Sequence, residues 1–261
     1  MKAYFSFWQG GWRGGFGEDQ QLFYMQKISS YLAKKHFKEV HFLTDSKNSE
    51  RFKQFNFNSI EVIFDNISKE YNSVWSINKL FAFKHICKKG DPFIHIDYDA
   101  FLWDDLPQRL RLADVFAQSK ENNSYKWYEL EKFLNHCPNP GLIGKVNPKP
   151  RDGINMGIFG GCNLEFINKY AQEALDIALN EQNKLFLYKT DVFENHWNKT
   201  CIIEQYTLPV CCQYYNIPCQ FLFKYWPTEE QTKIQKYTHL LAAKNRSNIQ
   251  EKVKLIASKL P

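Results

Sequence analysis

The chain has 261 residues, 44% of them hydrophobic and 24% charged, a balance that supports a full-sized core and excludes a disordered chain. Its 34 basic and 28 acidic residues leave a surplus of +6. That is too small and dispersed for a nucleic-acid binder, but it suits an anionic small substrate or an anionic membrane surface.

Seven cysteines, odd in number and without a CxxC pair, indicate neither a disulfide framework nor a zinc site and fit a reducing compartment. The opening "MKAYFSFWQGG" is too short an apolar run for a signal peptide and is broken by glycines. No stretch approaches the ~20 apolar residues of a spanning helix. The expectation is a cytoplasmic protein, with contact to an anionic inner membrane limited to its surface.

In chain order, "AYFSFW" reads as a strand, residues 18–35 as an amphipathic helix, "EVHFLTD" as a strand and residues 47–56 as a helix. "SIEVIFD" is a third strand, "VWSINKLFAFKHICKK" a helix with apolar residues at helical spacing, and "PFIHID" a fourth strand. Such alternation predicts an α/β domain with a mostly parallel, Rossmann-like central sheet flanked by helices.

Beyond residue 100, "ADVFAQ" and "GINMGIFGG" read as strands with a helix near 125–135 between them. The Pro-, Gly- and Lys-rich "CPNPGLIGKVNPKPRDG" is expected to be a mobile or substrate-covering loop. A helix opened by Asn163 follows, then a helix over "IIEQYTLPVCCQYYN" interrupted near Pro209. Asp104 and Asp105 are expected to cap the short "LPQRL" segment. No linker separates two units, so residues 1–246 are expected as one domain and 247–261 as a C-terminal helix on it. The 22 Phe, 14 Tyr and 7 Trp suggest strong β content; Trp8, Trp12, Trp103 and Trp226 are candidates to stack on a base or sugar.

Ligands of parallel sheets gather at the carboxyl ends of strands. Asp45, Asp65, Asp97 and Asp99 stand at such ends, although Asp also caps helices and turns there. Asp45 is taken as a candidate cofactor contact. The run "FIHIDYDAFLWDDLP", residues 93–107, closes an apolar strand with two carboxylates separated by one tyrosine. Neighbouring acids repel and are costly to bury unpaired, so a positive partner is expected. At a turn the strand's alternation is lost and both acids can face one ion. Oxygen ligands suit Mn2+ or Mg2+, which then bridge to phosphate oxygens.

With these motifs the chain resembles metal-dependent glycosyltransferases of the GT-A fold, similar in layout to families 8 and 32, over roughly residues 1–246. The resemblance implies a GT-A-like fold and a nucleoside diphosphate sugar, UDP-linked by preference, as donor. "NKLFAFKH" places Lys79 as a donor contact. "INMGIFGG" resembles a strand lining the transferred sugar and implies roles for Asn155, Gly157, Gly160 and Gly161. "IIEQYTL" resembles an acidic-Gln helix and puts Glu204 and Gln205 near the anomeric carbon. "THLLAAK" resembles a C-terminal His-Lys motif, making His239 a third metal ligand beside Asp97 and Asp99, and Lys244 a phosphate contact.

The chain departs from the pattern in two places. "WQGGWRGGFG" lacks the family's usual base-holding residues, and "NRS" follows Lys244 where Pro-Trp is usual.

The expected activity is therefore hexose-type transfer, with retention of configuration, to a glycan or lipid-linked acceptor. The Lys-, Asn- and Phe-rich composition suits bacterial surface polysaccharide assembly. A haloacid dehalogenase-type phosphatase with Asp97 as nucleophile, and a glycan- or nucleotide-binding module without turnover, are the competing readings. Each residue also has a plain alternative: a structural histidine at 239, a solvated helix face at Lys79, a surface acid at Glu204.

Overall fold

Strands β1 (Lys2–Ser6), β2 (Val40–Thr44) and β3 (Ser59–Val62) alternate with helices α1 (Asp19–His36) and α2 (Ser46–Phe52), and α3 (Ile77–Cys87) leads into β4 (Phe93–Ile96). This computed structural model describes residues 1–11, 19–190, 192–195 and 197–261. The middle of the chain supplies β5 (Ala100–Leu102), α4 (Gln108–Arg111), β6 (Val115–Glu121), α5 (Ser124–Trp127), α6 (Leu130–His136), α7 (Leu142–Lys145) and β7 (Gly153–Gly161). Then come α8 (Leu164–Leu179), α9 (Asn198–Cys201), α10 (Thr207–Tyr215), β8 (Cys219–Phe223), α11 (Glu229–Ile234), β9 (Tyr237–His239) and α12 (Ser247–Ser258).

One seven-stranded sheet has the order β3-β2-β1-β4-β7-β6-β8, and β5 and β9 form a separate antiparallel pair. Strands β3, β2, β1 and β4 run parallel, as do β6 and β8; β7 runs against both of its neighbours. The chain steps outward from β1 to β3 and then returns to set β4 on the other side of β1. That reversal opens a crevice at the carboxyl ends of β1 and β4, where open α/β sheets bind ligands.

Alternation along the strands divides the core in two. Tyr4, Leu43, Phe93, Ala117 and Phe159 pack on one face with residues of α3 and α8, whereas Ala3, Phe5, Phe42, Ile94, Phe116 and Ile158 pack on the other. Because both faces are covered, β4 and β7 are buried throughout. The two cores share one sheet, so the chain is a single α/β domain. Helix α12 lies on α1, with Val253 and Ala257 against Met25, Ile28 and Leu32. Among the described residues, no helix is long and apolar enough to cross a membrane.

Three expectations need correction and a fourth, at Pro209, gains its detail. The segment 137–152 is no cleft cover: Leu142, Ile143 and Val146 are buried in the main core, so apolar anchoring outweighs its loop-like composition. The predicted helix near 125–135 is two helices, split at Glu129, whose φ of 57° is left-handed. The interruption expected near Pro209 is a wide π-type turn over Ile202–Tyr206, directly before it within the continuous helical run 198–215, where the Tyr170 hydroxyl donates to the Glu204 carbonyl. Asp104 and Asp105 do not cap α4, whose N-cap is Pro107; they pair with Lys236 at 2.9 Å and Arg111 at 3.0 Å.

Candidate functional site

The crevice is a cleft of about 930 Å³ whose lining includes Ser6, Trp8, Asn78, Lys79, Asp97, Asp99, Asn155, Gly157, Glu204, Gln205, His239 and Lys244. Its floor begins where β4 stops. The Asp97 N–H still donates to Gly157 O at 2.9 Å, continuing the pairing with β7, and Ala100 N–H then donates to Asp97 O at 3.0 Å. The tight turn directs both carboxylates to one place. Pairing of β5 with β9 sets Ala100 opposite His239, and Leu240 N–H donates to Asp99 O at 3.0 Å. A histidine 140 positions away in sequence is thereby fixed beside the acids.

One ligand atom each from Asp97, Asp99 and His239 lies within 4.8 Å of the others. The Nδ1–H of His239 donates to Gln118 Oε1 at 2.8 Å, and the same oxygen accepts from the Tyr237 hydroxyl at 2.7 Å. This turns Nε2 to the acids, 3.4 Å from Asp99 Oδ1, where the neutral ring would offer its lone pair to a metal and the protonated ring an N–H to the carboxylate. Two carboxylates and an imidazole nitrogen form a donor set that fits a hard divalent ion with room for phosphate and water. Gly157 is required beneath it: a Cβ there would stand 2.3 Å from His239 Nδ1 and 2.4 Å from Gln118 Oε1.

Two lysines neutralise the acids. Lys79, from the first turn of α3, reaches Asp97 Oδ1 at 3.0 Å and Glu204 Oε1 at 2.6 Å. Lys244 Nζ lies 2.5 Å from Asp99 Oδ2. Burial by itself would lower both ammonium groups, but the carboxylates around them outweigh it, so both stay charged well above the ordinary range. Burial alone would raise Asp99, yet Lys244 and His239 hold it far below the usual carboxylate range. Glu204 goes the other way. Its burial pushes the carboxyl up, Lys79 offsets that only in part, and the charge on Asp97 adds to it.

The π-type turn places Glu204 and Gln205 side by side at the cleft, and the Tyr170 hydroxyl donates to Glu204 O at 2.8 Å. Behind Gln205 lies a buried polar set. Tyr128 Oη is 2.5 Å from Gln205 Oε1 and also contacts Glu121, while Asn155 Nδ2 donates to Glu121 Oε1 at 3.0 Å. Burial raises the Glu121 carboxyl, partly offset by those bonds from Tyr128 and Asn155.

The cleft thus gathers Asp97, Asp99, His239, Lys79, Lys244, Glu204, Gln205, Asn155 and Trp8. It does not gather Asp45, Gly160 or Gly161. Both Asp45 oxygens are engaged by local donors, Oδ2 by Gln9 N–H at 2.8 Å and Oδ1 by Asn48 N–H at 3.1 Å, so Asp45 caps α2. Gly160 and Gly161 lie under backbone: an added Cβ would stand 2.0 Å from Phe93 O and 2.0 Å from Asp114 O, respectively. Trp226 lines the cleft, Trp103 lies elsewhere, and Trp12 with Gly14, Gly15 and Gly17 falls outside the described residues. Sequence reasoning missed Gln118, Glu121, Tyr128, Trp75, Trp127 and Trp197. Strand β6 is apolar only as far as Ala117 and polar from Gln118 to Glu121, a change that marked its second half without showing which side chains face the cleft.

A protein family described as "Family of unknown function (DUF6734)" matches residues 1–259. The chain belongs to that family. A search of curated proteins returned no match. Among solved structures, mouse xyloside xylosyltransferase 1 in its apo form is similar at 13% identity, over 94% of this chain and 93% of that one, with a TM-score of 0.45. At that depth the likeness decides nothing about what this member of the family acts on.

Proposed function

We propose that the protein is a GT-A-type glycosyltransferase that moves a sugar from a nucleoside diphosphate, UDP by preference, to a glycan or lipid-linked acceptor. The observation that carries this reading is the convergence of Asp97, Asp99 and His239 within 4.8 Å in the crevice beside β1 and β4. An acid as buried as Asp99, even with Lys244 beside it, adds little or nothing to stability, so a bound ligand accounts for it better than the fold does.

Asp97, Asp99 and His239 would hold Mn2+ or Mg2+, which when bound supplies positive charge to the leaving diphosphate. The chain's own residues do the rest. Lys79 and Lys244 keep fixed positive charge beside the diphosphate oxygens. Gln118 holds the His239 ring, and Gly157 permits its close approach. Glu204 and Gln205 face the transferred sugar. With its raised carboxyl, Glu204 is suited to take the acceptor's proton, whereas the Gln205 amide offers a dipole to the positive charge developing on the ring. The resemblance to families 8 and 32 favours retention of configuration, which NMR of the product anomer reads directly.

The test is a thermal-shift screen of nucleoside diphosphates with and without Mn2+. One nucleotide is expected to stabilise the protein only with the metal, and Asp97→Asn and Asp99→Asn are expected to abolish that stabilisation. Nucleotide stabilisation that ignores both metal and substitutions overturns the reading.

A further inference from the structure

Trp127, Trp197 and Trp226 leave 46%, 41% and 50% of their surfaces exposed, and all three line the same cleft. An indole is the largest apolar side chain, and scattered exposure of one is ordinary; three around one concavity mark a recognition surface. The strand order locates them. Trp127 ends α5 just beyond β6, Trp226 follows β8, and Trp197 immediately precedes α9. Strands β6 and β8 are separated from β1 by β4 and β7. The cleft therefore has two ends, one at β1 with Ser6 and Trp8, the other at β6 and β8 with Trp127 and Trp226; Trp197 joins the second through its neighbour Asn198, whose Nδ2 donates at 2.8 Å to Glu129, two residues after Trp127. Asp97 lies between them, at the end of β4.

We propose that Trp127, Trp197 and Trp226 form a stacking platform for the sugar rings of the acceptor, so that the acceptor is a saccharide chain held over more than one ring. This rests on the glycosyltransferase reading of the cleft and narrows its acceptor. Pyranose rings present an apolar C–H face and a polar hydroxyl edge. Flat indole faces match the first. Asn122, Asn155 and Gln205, which share the lining, match the second. A lipid surface would call for a protruding apolar patch, whereas these rings line a concavity that also holds charged carboxylates.

Isothermal titration with cellohexaose, xylohexaose and maltoheptaose tests the platform, with sedimentation on phosphatidylglycerol vesicles in parallel. At least one oligosaccharide is expected to bind. Each of Trp127→Ala, Trp197→Ala and Trp226→Ala is expected to weaken that binding roughly tenfold. Trp103→Ala, 40% exposed but outside the cleft, is expected to leave it unchanged. Trp→Phe at the same three positions keeps a flat ring and should recover part of the loss, which separates stacking from misfolding.

The platform is overturned if no oligosaccharide binds, if Trp103→Ala matters as much as the others, or if the variants lose vesicle binding instead. The metal-dependent nucleotide shift is read on the same variants. Saccharide binding that follows the indoles without any nucleotide shift supports the platform and removes the transferase reading. A preserved nucleotide shift with no saccharide binding removes the platform alone.

Discussion

Glu61, His85 and Lys89, near the β3 edge of the sheet, and Asp97, Asp99, Lys79, Glu204, His239 and Lys244, at its centre, use the same side-chain chemistry in different surroundings. At the edge, Lys89 Nζ is 2.7 Å and His85 Nε2 2.9 Å from Glu61, whose side chain stays 25% exposed. At the centre, Asp99 and Glu204 are 4% and 5% exposed, and the lysines are their close partners. Water can replace any member of the edge cluster. Nothing replaces a member of the central one. Ion pairs of the first kind add little stability, and those of the second often detract from it. The central cluster is therefore explained by what it binds, the edge cluster by what it holds together.

The largest expected difference between the two is the cost of removing one lysine. Lys79→Ala leaves Glu204 buried, and the half-buried Asp97 beside it, with no counter-charge and should destabilise the protein by about 3–5 kcal/mol. Lys89→Ala should cost about 1 kcal/mol or less. Urea denaturation midpoints of the two variants measure this, and equal costs would break the comparison. Adding Asp97→Asn to Lys79→Ala should restore part of the loss, because the second change removes a stranded charge.

A buried carboxyl with no cation bound to it sharpens the contrast. Glu121 is held by Asn155 and Tyr128 rather than by a lysine, and burial raises it above its ordinary value. The folded protein then binds this proton more tightly than the unfolded chain. Ionisation costs stability as pH rises from about 4.5 through the raised folded value, and the full cost persists above it. Glu121→Gln should therefore be more stable than the wild type at pH 8 and indistinguishable from it at pH 4. Chemical denaturation at the two pH values reads the difference.

How much of this was legible in the sequence differs between sheet and site. Strands β1, β2 and β4 announce themselves through apolar runs between helical spacings, because burial on both faces admits little else, whereas β3 lies partly exposed at the sheet edge. Asp97 and Asp99 were visible as a pair because two acids ending an apolar strand demand an explanation. The partnership of His239 with Asp99 depends on β5 and β9, three-residue strands too short for periodicity to reveal. Glu121 and Gln118 lie in a strand whose apolar signal ends at the bulge after Ala117, so their direction towards the cleft was hidden. Asp45 illustrates the converse: the residue type suits a ligand site, but whether its oxygens are already occupied depends on Gln9, 36 positions earlier.

The smallest expected effect lies in the edge cluster. Burial pushes the Glu61 carboxyl up, but hydrogen bonds from Lys89, His85 and Ser59 outweigh this and bring it down to about 2. A folded value below the unfolded 4.5 means that the stabilisation is complete above about pH 4.5 and is lost as pH falls through about 2. Because the group is partly solvated, its worth at pH 7 is discounted to roughly 1 kcal/mol. Glu61→Gln should lower the urea midpoint by that amount at pH 7 and converge on the wild type as the pH approaches 2. Salt of 1 M should erase most of the pH 7 difference, since exposed pairs are screened over about 3 Å at that concentration, while leaving the cost of Lys79→Ala nearly intact. An edge pair that resists salt as the central one does would mean that the two clusters differ in position only, and that burial is not what separates a binding site from a brace.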